Sequence, residues 1–222
     1  MFELGGSYDE MLQQGLDLAG ETKDYFIDGR VNRLRAERPD LSPTSILDFA
    51  CGVGDTSLRL ADAFGANVVG VDVASGAIRE ARRRVEDDRV RFALLDELPG
   101  HADFDLCYVS GAYHHIPESE RLGVTRRIHD LLRPGGSLAL FENIPWSIPA
   151  RLVMRRVPFD RNAVMVRPVV ARRLLVEAGF ATTTRTAYIF FFPKALRRLR
   201  RIEPTLRRVP LGAQYLVVGT RE

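Results

Sequence analysis

Short apolar runs alternate with longer amphipathic stretches between residues 45 and 142 of this chain. Continuous apolar runs are typical of buried parallel strands, and the amphipathic stretches between them are typical of helices that cover a sheet. Since strands and helices alternate, we expect repeated βα units and a mostly parallel sheet. The pattern predicts strands at residues 45–49, 67–71, 90–94, 104–110 and 137–141, and helices at 56–64, 76–87 and 118–132.

The segments on either side of this core predict further elements. Before it, residues 8–38 carry apolar positions at helical spacing and predict one or two helices that form a lid. After it, the pattern predicts a helix at 168–178, strands at 183–192 and 213–220, and a basic helix at 194–208 between those strands. The apolar face of that basic helix would consist of Leu196, Leu199, Ile202 and Leu206.

Length and composition suit one α/β domain: the chain has 222 residues, 45% of them hydrophobic. We expect a single domain, with a helical lid at 1–44, a cofactor-binding core at 45–142 and a substrate-side part at 143–222. The two cysteines, Cys51 and Cys107, both lie in predicted core, which favours a reducing compartment and no metal site. The chain has neither a signal-like basic and apolar start nor an apolar run of about 18 residues, so we expect a cytoplasmic protein without a membrane span.

Charge is distributed unevenly along the chain. From Arg151 onward there are 16 basic and 4 acidic residues, whereas the part before it has 16 and 25. Such a basic last third attracts an anionic substrate, nucleic acid or an acidic partner, or is simply a solvated arginine-rich surface. Only Lys23 and Lys194 are lysines, a bias typical of a GC-rich bacterial genome.

The strongest local signal is a predicted strand that runs into a glycine turn and a helix. Ala50, Gly52 and Gly54 follow the first apolar run, and glycine lets the backbone approach a ligand where a Cβ atom would collide. Asp72 ends the second apolar run, where a carboxylate can accept both hydroxyls of a ribose. These features predict a nucleotide-type cofactor. The NAD fingerprint Gly-x-Gly-x-x-Gly is incomplete, because no third glycine follows Gly54.

The order of the motifs resembles the class I S-adenosylmethionine-dependent methyltransferases of the small-molecule type over about residues 45–220. Asp48 to Gly54 is similar to the first motif of that family, with Ala50 where glycine is commonest. The other matching motifs are Asp72, Asp96, the strand at 104–110, His114-His115-Ile116 and Leu132-Arg133-Pro134-Gly135-Gly136. The resemblance implies a Rossmann-like α/β fold with a seven-stranded, mostly parallel sheet and a reversed final strand. It also implies S-adenosyl-L-methionine as cofactor and S-adenosyl-L-homocysteine as product.

Roles for individual residues follow from the resemblance. Asp48 would lie near the amino group of the cofactor, Asp72 at the ribose and Asp96 at the adenine. Each also has a plain structural interpretation: Asp48 binding backbone N–H groups, Asp72 capping a helix, Asp96 forming a turn. Arg30 would pair with the cofactor carboxylate, or is a surface arginine. The complete predicted cofactor set is Arg30, Asp48, Ala50, Gly52, Gly54, Asp72, Val73, Asp96, Glu97, Ser110 and Gly111.

The resemblance also brings the loop after the fourth strand next to the loop after the fifth. His114 is the predicted general base, with Glu142 fixing its tautomer, and His115 competes for the role. The alternative is that both histidines only cap and pack the helix that follows. The predicted acceptor pocket is lined by Tyr8, Tyr25, Tyr113, Asn143 and Trp146, although aromatic residues at such spacings are often core.

The sequence leaves the acceptor open. We expect a small metabolite with an oxygen or nitrogen nucleophile, of the kind used in small-molecule biosynthesis; the basic last third would suit an anionic one. After the fourth strand the chain has Ser110-Gly111-Ala112-Tyr113 rather than the Asn/Asp-Pro-Pro-aromatic signature of base methyltransferases, which argues against nucleic acid. A protein that binds the cofactor without transferring methyl would have the same motifs. Nothing in the sequence predicts the oligomeric state.

Overall fold

The computed structural model describes residues 20–157, 163–182 and 185–222. The strands are β1 (Ser45–Phe49), β2 (Asn67–Asp72), β3 (Val90–Leu94), β4 (Phe104–Ser110), β5 (Leu132–Asn143), β6 (Phe180–Ala181), β7 (Ala187–Ile189) and β8 (Gln214–Arg221). The helices are α1 (Lys23–Glu37), α2 (Asp55–Phe64), α3 (Ser75–Arg84), α4 (Glu118–Leu131), α5 (Ile148–Arg156), α6 (Pro168–Glu177) and α7 (Glu203–Leu206). Short 3-10 helices lie at Leu95–Glu97, Tyr113–His115 and Lys194–Ile202.

One sheet organises these elements, with the strand order β3-β2-β1-β4-β5-β8-β6 and β7 also paired to β8. Strands β1 to β5 are parallel, and β8 runs antiparallel to β5. The predicted Rossmann-like class with a reversed final strand is therefore confirmed. The sheet has eight strands rather than seven, because β6 and β7 pair with opposite ends of β8 as two pieces of one edge strand. Of the strand predicted at 183–192, only Ala187–Ile189 forms, as β7, and residues 183–184 lie outside the described part.

Alternation along the strands gives the sheet two apolar faces. Leu47 and Cys107 belong to a core with α4 and α6, whereas Ile46 and Leu106 belong to a core with α1, α2 and α3. All four of these side chains are completely buried. The helices therefore cover both faces, as a parallel sheet requires, and leave the ends of the strands open for ligands.

Two predicted boundaries differ from the structure for local reasons. Helix α4 ends at Leu131 and β5 begins at the next residue, so Pro134-Gly135-Gly136 lies inside the strand. The register between β4 and β5 shifts between Phe104 and Leu106, and the bulge accommodates these residues. The sequence signal for a helix stop was correct, but no separate loop follows it.

The segment predicted as a basic helix at 194–208 is helical, but it is not one continuous helix. Lys194–Ile202 is a 3-10 helix, and a single α-helical turn with Pro204 near its start follows. The backbone is kinked at Leu196, where φ is −108° and ψ is 25°. Beyond the kink, three residues per turn place Leu199 and Ile202 on one row and Arg200 on a neighbouring row. Arg200 faces the protein, and the three apolar side chains remain 47%, 44% and 48% exposed. The predicted apolar face thus does not enter the core.

Among the described residues, no helix combines the length and the apolar character that crossing a bilayer requires.

The packing makes a prediction about glycines in two environments. A Cβ atom at Gly70 in β2 would lie 2.7 Å from the ring of Phe92 and 2.8 Å from Ser57 Oγ. We expect Gly70→Ala to lower the free energy of unfolding by about 1–3 kcal/mol through overpacking. Gly123 lies in α4 with nothing near its Cβ position, so Gly123→Ala should raise it by about 0.5–1 kcal/mol. Urea unfolding measures both; equal effects of the two substitutions would contradict the packing at Gly70.

Candidate active site

The predicted glycine turn lies at the carboxyl end of β1, beside the end of β2. The amide of Cys51 donates to the Val71 carbonyl at 2.9 Å, and the amide of Gly54 donates to the Cys51 carbonyl at 3.1 Å. Ala50 and Gly52 adopt positive φ angles of 61° and 57°. No atom lies within 4 Å of the Cβ position of Gly52, so this part of the turn is open to a ligand.

Asp72 joins the end of β2 to that turn. Its Oδ2 accepts a hydrogen bond from the Gly52 amide at 3.0 Å, and its Oδ1 accepts one from the Ala74 amide at 2.9 Å. The residue at the cap position of α3 is Ala74 rather than Asp72. The carboxylate therefore holds the two backbone turns together, and each oxygen keeps acceptor capacity for a hydroxyl group.

Asp48, near the end of β1, is a buried carboxyl group with 2% of its surface exposed. Burial raises the pKa of Asp48 to about 7, and the hydrogen bond from Ser57 Oγ at 2.6 Å opposes that rise. Ser57 was not among the predicted site residues. A sign of its role was present in the sequence, because Ser57 is a polar residue on the same face of α2 as the buried Leu60 and Ala61.

Arg30 connects the helix that precedes the core to the ends of β4 and β8. Its Nη1 donates to Ser110 Oγ at 2.8 Å and its Nε donates to Gln214 Oε1 at 3.1 Å. Gln214 Nε2 in turn donates to Asn143 Oδ1 at 2.9 Å. Asn143, predicted in the acceptor pocket, thus belongs to this network. Gln214 was missed because no motif marks the first residue of β8.

His114, which follows β4, and Glu142, near the end of β5, form a buried pair. His114 Nδ1 lies 2.7 Å from Glu142 Oε2, and the Tyr113 amide donates to Glu142 Oε1 at 2.7 Å. The side chains are 3% and 0% exposed. With Nδ1–H donating to the carboxylate, Nε2 is left as the proton acceptor. The His115 ring lies 4.2 Å from the His114 ring, centroid to centroid.

A backbone segment at residues 163–167 is hydrogen-bonded to the loop that carries His114. The Val164 amide donates to the His114 carbonyl at 2.9 Å. The buried guanidinium of Arg121 donates to the carbonyls of Tyr113, Ile116 and Val164. Arg121 thereby ties the histidine loop to the segment at residues 163–167. Sequence reasoning missed it, although an arginine at an apolar position of α4 was a usable signal.

The predicted pocket residues do not form one wall. Tyr113 is completely buried with its hydroxyl 3.0 Å from Thr125 Oγ1, so its side chain belongs to the core rather than to a pocket. Tyr25 packs against Phe26 and Phe190. Trp146 is 47% exposed at the rim, and Tyr8 lies outside the described residues.

The predicted cofactor residues Val73, Asp96 and Glu97 lie where β2 and β3 end, and of these Asp96 was predicted at the adenine. Val73 is 67% exposed and Asp96 is exposed in the 3-10 helix after β3. Glu97 Oε2 accepts a hydrogen bond from the Leu94 amide at 2.9 Å and lies 3.8 Å from Arg82 Nη2, which gives it a role in closing this turn.

Gly111, which follows β4, has a φ angle of 67°, and its amide donates to the Phe141 carbonyl. No cluster of possible metal ligands occurs in the part of the chain that the structure describes.

Comparisons with known proteins agree with this arrangement. Residues 46–136 match the family described as "Methyltransferase domain". The chain is 34% identical over 128 residues to 27-O-demethylrifamycin SV methyltransferase of Amycolatopsis mediterranei, covering 54% of this chain and 46% of that protein. It is 37% identical over 154 residues to demethylmenaquinone methyltransferase of Clavibacter sepedonicus, covering 68% and 60%.

Solved structures share the fold. The crystal structure of an S-adenosylmethionine-dependent methyltransferase from Mesorhizobium loti superposes with a TM-score of 0.63 at 24% identity, covering 88% of this chain and 100% of that one. The chain spans about half the length of the first curated relatives that it matches. The motifs, the sheet order and these matches together support a class I S-adenosylmethionine-dependent methyltransferase.

Proposed function

We propose that this protein transfers the methyl group of S-adenosylmethionine to an oxygen or nitrogen atom of a small-molecule acceptor. The observation that carries the proposal is the buried His114–Glu142 pair at the same sheet edge as the Asp72 turn. The neighbouring strands β2, β1, β4 and β5 bring these two groups to one edge. The named activities of the matched rifamycin and menaquinone enzymes support a small-molecule acceptor in this family.

The residues present suit the cofactor. Gly52 leaves an open cradle beside Asp72, whose carboxylate would accept the ribose hydroxyls. The Asp48 carboxylate would face the ammonium group of the methionine portion. Arg30 would face its carboxylate, and Ser110 and Gly111 would line this part of the site. Val73 and Asp96, at the ends of adjacent strands, would flank the adenine.

His114 is the proposed general base. The bound cofactor supplies an electrophilic methyl group, so the protein has only to orient the acceptor and remove its proton. Glu142 would keep Nδ1 protonated and stabilise the imidazolium that forms when Nε2 takes the acceptor proton. Residues 163–167, which pack on the His114 backbone, would limit the access of water.

A cofactor-binding protein without methyl transfer is the alternative, and product analysis separates the two. Incubation of the protein with S-adenosylmethionine and a panel of phenolic, carboxylic and amine acceptors should release S-adenosylhomocysteine with at least one of them. Tight cofactor binding with no product from any acceptor class would favour the alternative.

The first prediction for the site concerns Asp72. Replacing it with Asn removes one acceptor oxygen and the negative charge, so we expect Asp72→Asn to weaken S-adenosylmethionine binding by roughly 10- to 100-fold. Calorimetric titration measures the affinity, and thermal unfolding checks that the turn still folds. The matched control is Asp88→Asn, at an exposed position just before the amino end of β3 and so at the opposite edge of the sheet. A folded Asp72→Asn protein with unchanged affinity would remove Asp72 from the cofactor site.

The second prediction concerns pH. In the free protein the pKa of Asp48 is about 7, so the carboxyl group is mostly protonated at lower pH. An ammonium group bound beside it favours the carboxylate, lowers its pKa and expels the proton. Affinity for S-adenosylmethionine should therefore rise as the pH increases from about 5.5 to 7, by up to about tenfold per pH unit. Titrations in buffers of different ionisation enthalpy count the released proton; Asp48→Asn should abolish both effects, and a pH-independent wild type would contradict this role.

The third prediction separates the two histidines. Removing a general base costs about 10²- to 10⁴-fold in rate, so His114→Ala should lower kcat by that amount and leave cofactor affinity unchanged. Glu142→Gln keeps an acceptor for the Tyr113 amide but removes the charge, and should give a smaller loss. His115→Ala is the matched control and should retain turnover. The rate of S-adenosylhomocysteine release with the best acceptor of the panel measures all three; full turnover of His114→Ala would exclude it as the base.

A further inference from the structure

Two elements with exposed apolar and basic side chains lie on the same side of the molecule as the candidate site. Helix α5 follows β5 by a few residues and so lies beyond the carboxyl ends of the strands. The other element is the 3-10 helix Lys194–Ile202, and its position follows from its contacts with α1. We call the exposed faces of α5 and this 3-10 helix the basic apolar rim.

The position of the 3-10 helix is fixed by Arg200. Its Nη1 lies 2.8 Å from Glu21 Oε1, and its guanidinium carbon lies 4.5 Å from the Tyr25 ring centroid. Helix α1 runs away from the carboxyl edge, because Arg30 binds Ser110 at the end of β4 and Arg38 binds Ser137 near the start of the paired part of β5. Tyr25 precedes Arg30 by five residues, which is roughly 7 Å along a helix. The 3-10 helix therefore lies beyond the carboxyl edge, as α5 does.

On α5, apolar and basic residues alternate on one outward face. Ile148, Arg151, Leu152 and Arg155 have the spacing i, i+3, i+4, i+7, which places them on one side of a helix. All four are exposed, Ile148 at 69% and Leu152 at 46%, whereas the opposite side buries Ala150 and Met154. The outward face of α5 therefore carries both apolar and basic side chains, and no other part of the described chain packs against it.

The 3-10 helix repeats the arrangement. Leu196 at the kink and the row of Leu199 and Ile202 beyond it are each about half exposed. Exposed Arg198 and Arg201 lie on the row beside Leu199 and Ile202. Between the two elements, Trp146 Nε1 donates to the Pro210 carbonyl at 2.7 Å next to Leu211, which is 73% exposed. Within the described residues, Arg151, Arg155, Arg198 and Arg201 form no ion pair with a carboxylate.

We propose that the basic apolar rim docks on an anionic phospholipid bilayer. Aliphatic side chains beside unpaired arginines match the boundary between acyl chains and anionic headgroups, because each kind of side chain then meets its complement. A nucleic acid would satisfy the arginines but would leave the half-exposed leucine row in water. The exposed Trp146 suits the same boundary, where one side of an indole is apolar and the other polar. The candidate site would then open toward the membrane, where an amphiphilic acceptor would be concentrated.

Vesicle flotation tests the proposal without cofactor or acceptor, so its failure is distinct from failure of the proposed methyl transfer. We expect the protein to bind vesicles of phosphatidylcholine with phosphatidylglycerol, and not phosphatidylcholine alone, with affinity falling as salt increases. Trp146 is the only tryptophan, so its fluorescence should shift to shorter wavelength on binding.

Matched variants locate the surface. R151Q/R155Q/R198Q/R201Q should weaken binding to the anionic vesicles by up to roughly 600-fold, because each of the four arginines near such a surface contributes about fivefold. The apolar variant Ile148→Ser with Leu199→Ser keeps all charges and should lose the Trp146 shift. The control R35Q/R91Q/R126Q/R173Q neutralises four other exposed arginines and should bind as the wild type does. Equal loss in both quadruple variants, no vesicle binding at low salt, or binding to a mixed oligonucleotide but not to vesicles would each overturn the proposal.

Discussion

The reversal of strand order between β1 and β4 is the constraint on which the rest of this structure depends. To one side of β1 the chain continues to β2 and β3, and to the other side to β4, β5 and β8. The crossover helices therefore diverge above the carboxyl ends of β1 and β4, and this divergence leaves a crevice. The Asp72 turn lies on one side of the crevice and the His114–Glu142 pair on the other. Cofactor and acceptor chemistry can meet only because these strands are neighbours.

Local hydrogen bonds then give each side of the crevice a definite shape. Glu142 accepts a hydrogen bond from the Tyr113 amide with one oxygen and pairs with His114 Nδ1 through the other. A single carboxylate therefore fixes the position of the loop backbone and the orientation of the imidazole. Asp72 uses its two oxygens in the same way for Gly52 and Ala74. Groups held at both oxygens lose little further freedom on ligand binding, which favours catalysis through positioning.

The sequence predicted the parts of the structure that depend on apolar periodicity. The first four strands and the order of the core helices follow directly from apolar runs and helical spacing, and the glycine turn follows from backbone chemistry. The basic segment at 194–208 shows where this method fails: the leucine spacing fits both an α-helix and a 3-10 helix, and only tertiary contacts of Arg200 decide which row faces inward. The side chains that support the site, among them Ser57, Arg121 and Gln214, act through contacts distant in sequence. Tyr113 shows the converse, because its place in a loop motif did not reveal that its side chain enters the core.

The account rests most directly on the claim that this sheet edge binds S-adenosylmethionine rather than a dinucleotide. Isothermal titration of the wild-type protein with S-adenosylmethionine and, separately, with NAD tests that claim in one experiment. We predict saturable binding of S-adenosylmethionine with one molecule per chain and no binding of NAD. Binding of NAD without binding of S-adenosylmethionine would contradict the assignment of the glycine turn and Asp72 to an S-adenosylmethionine site.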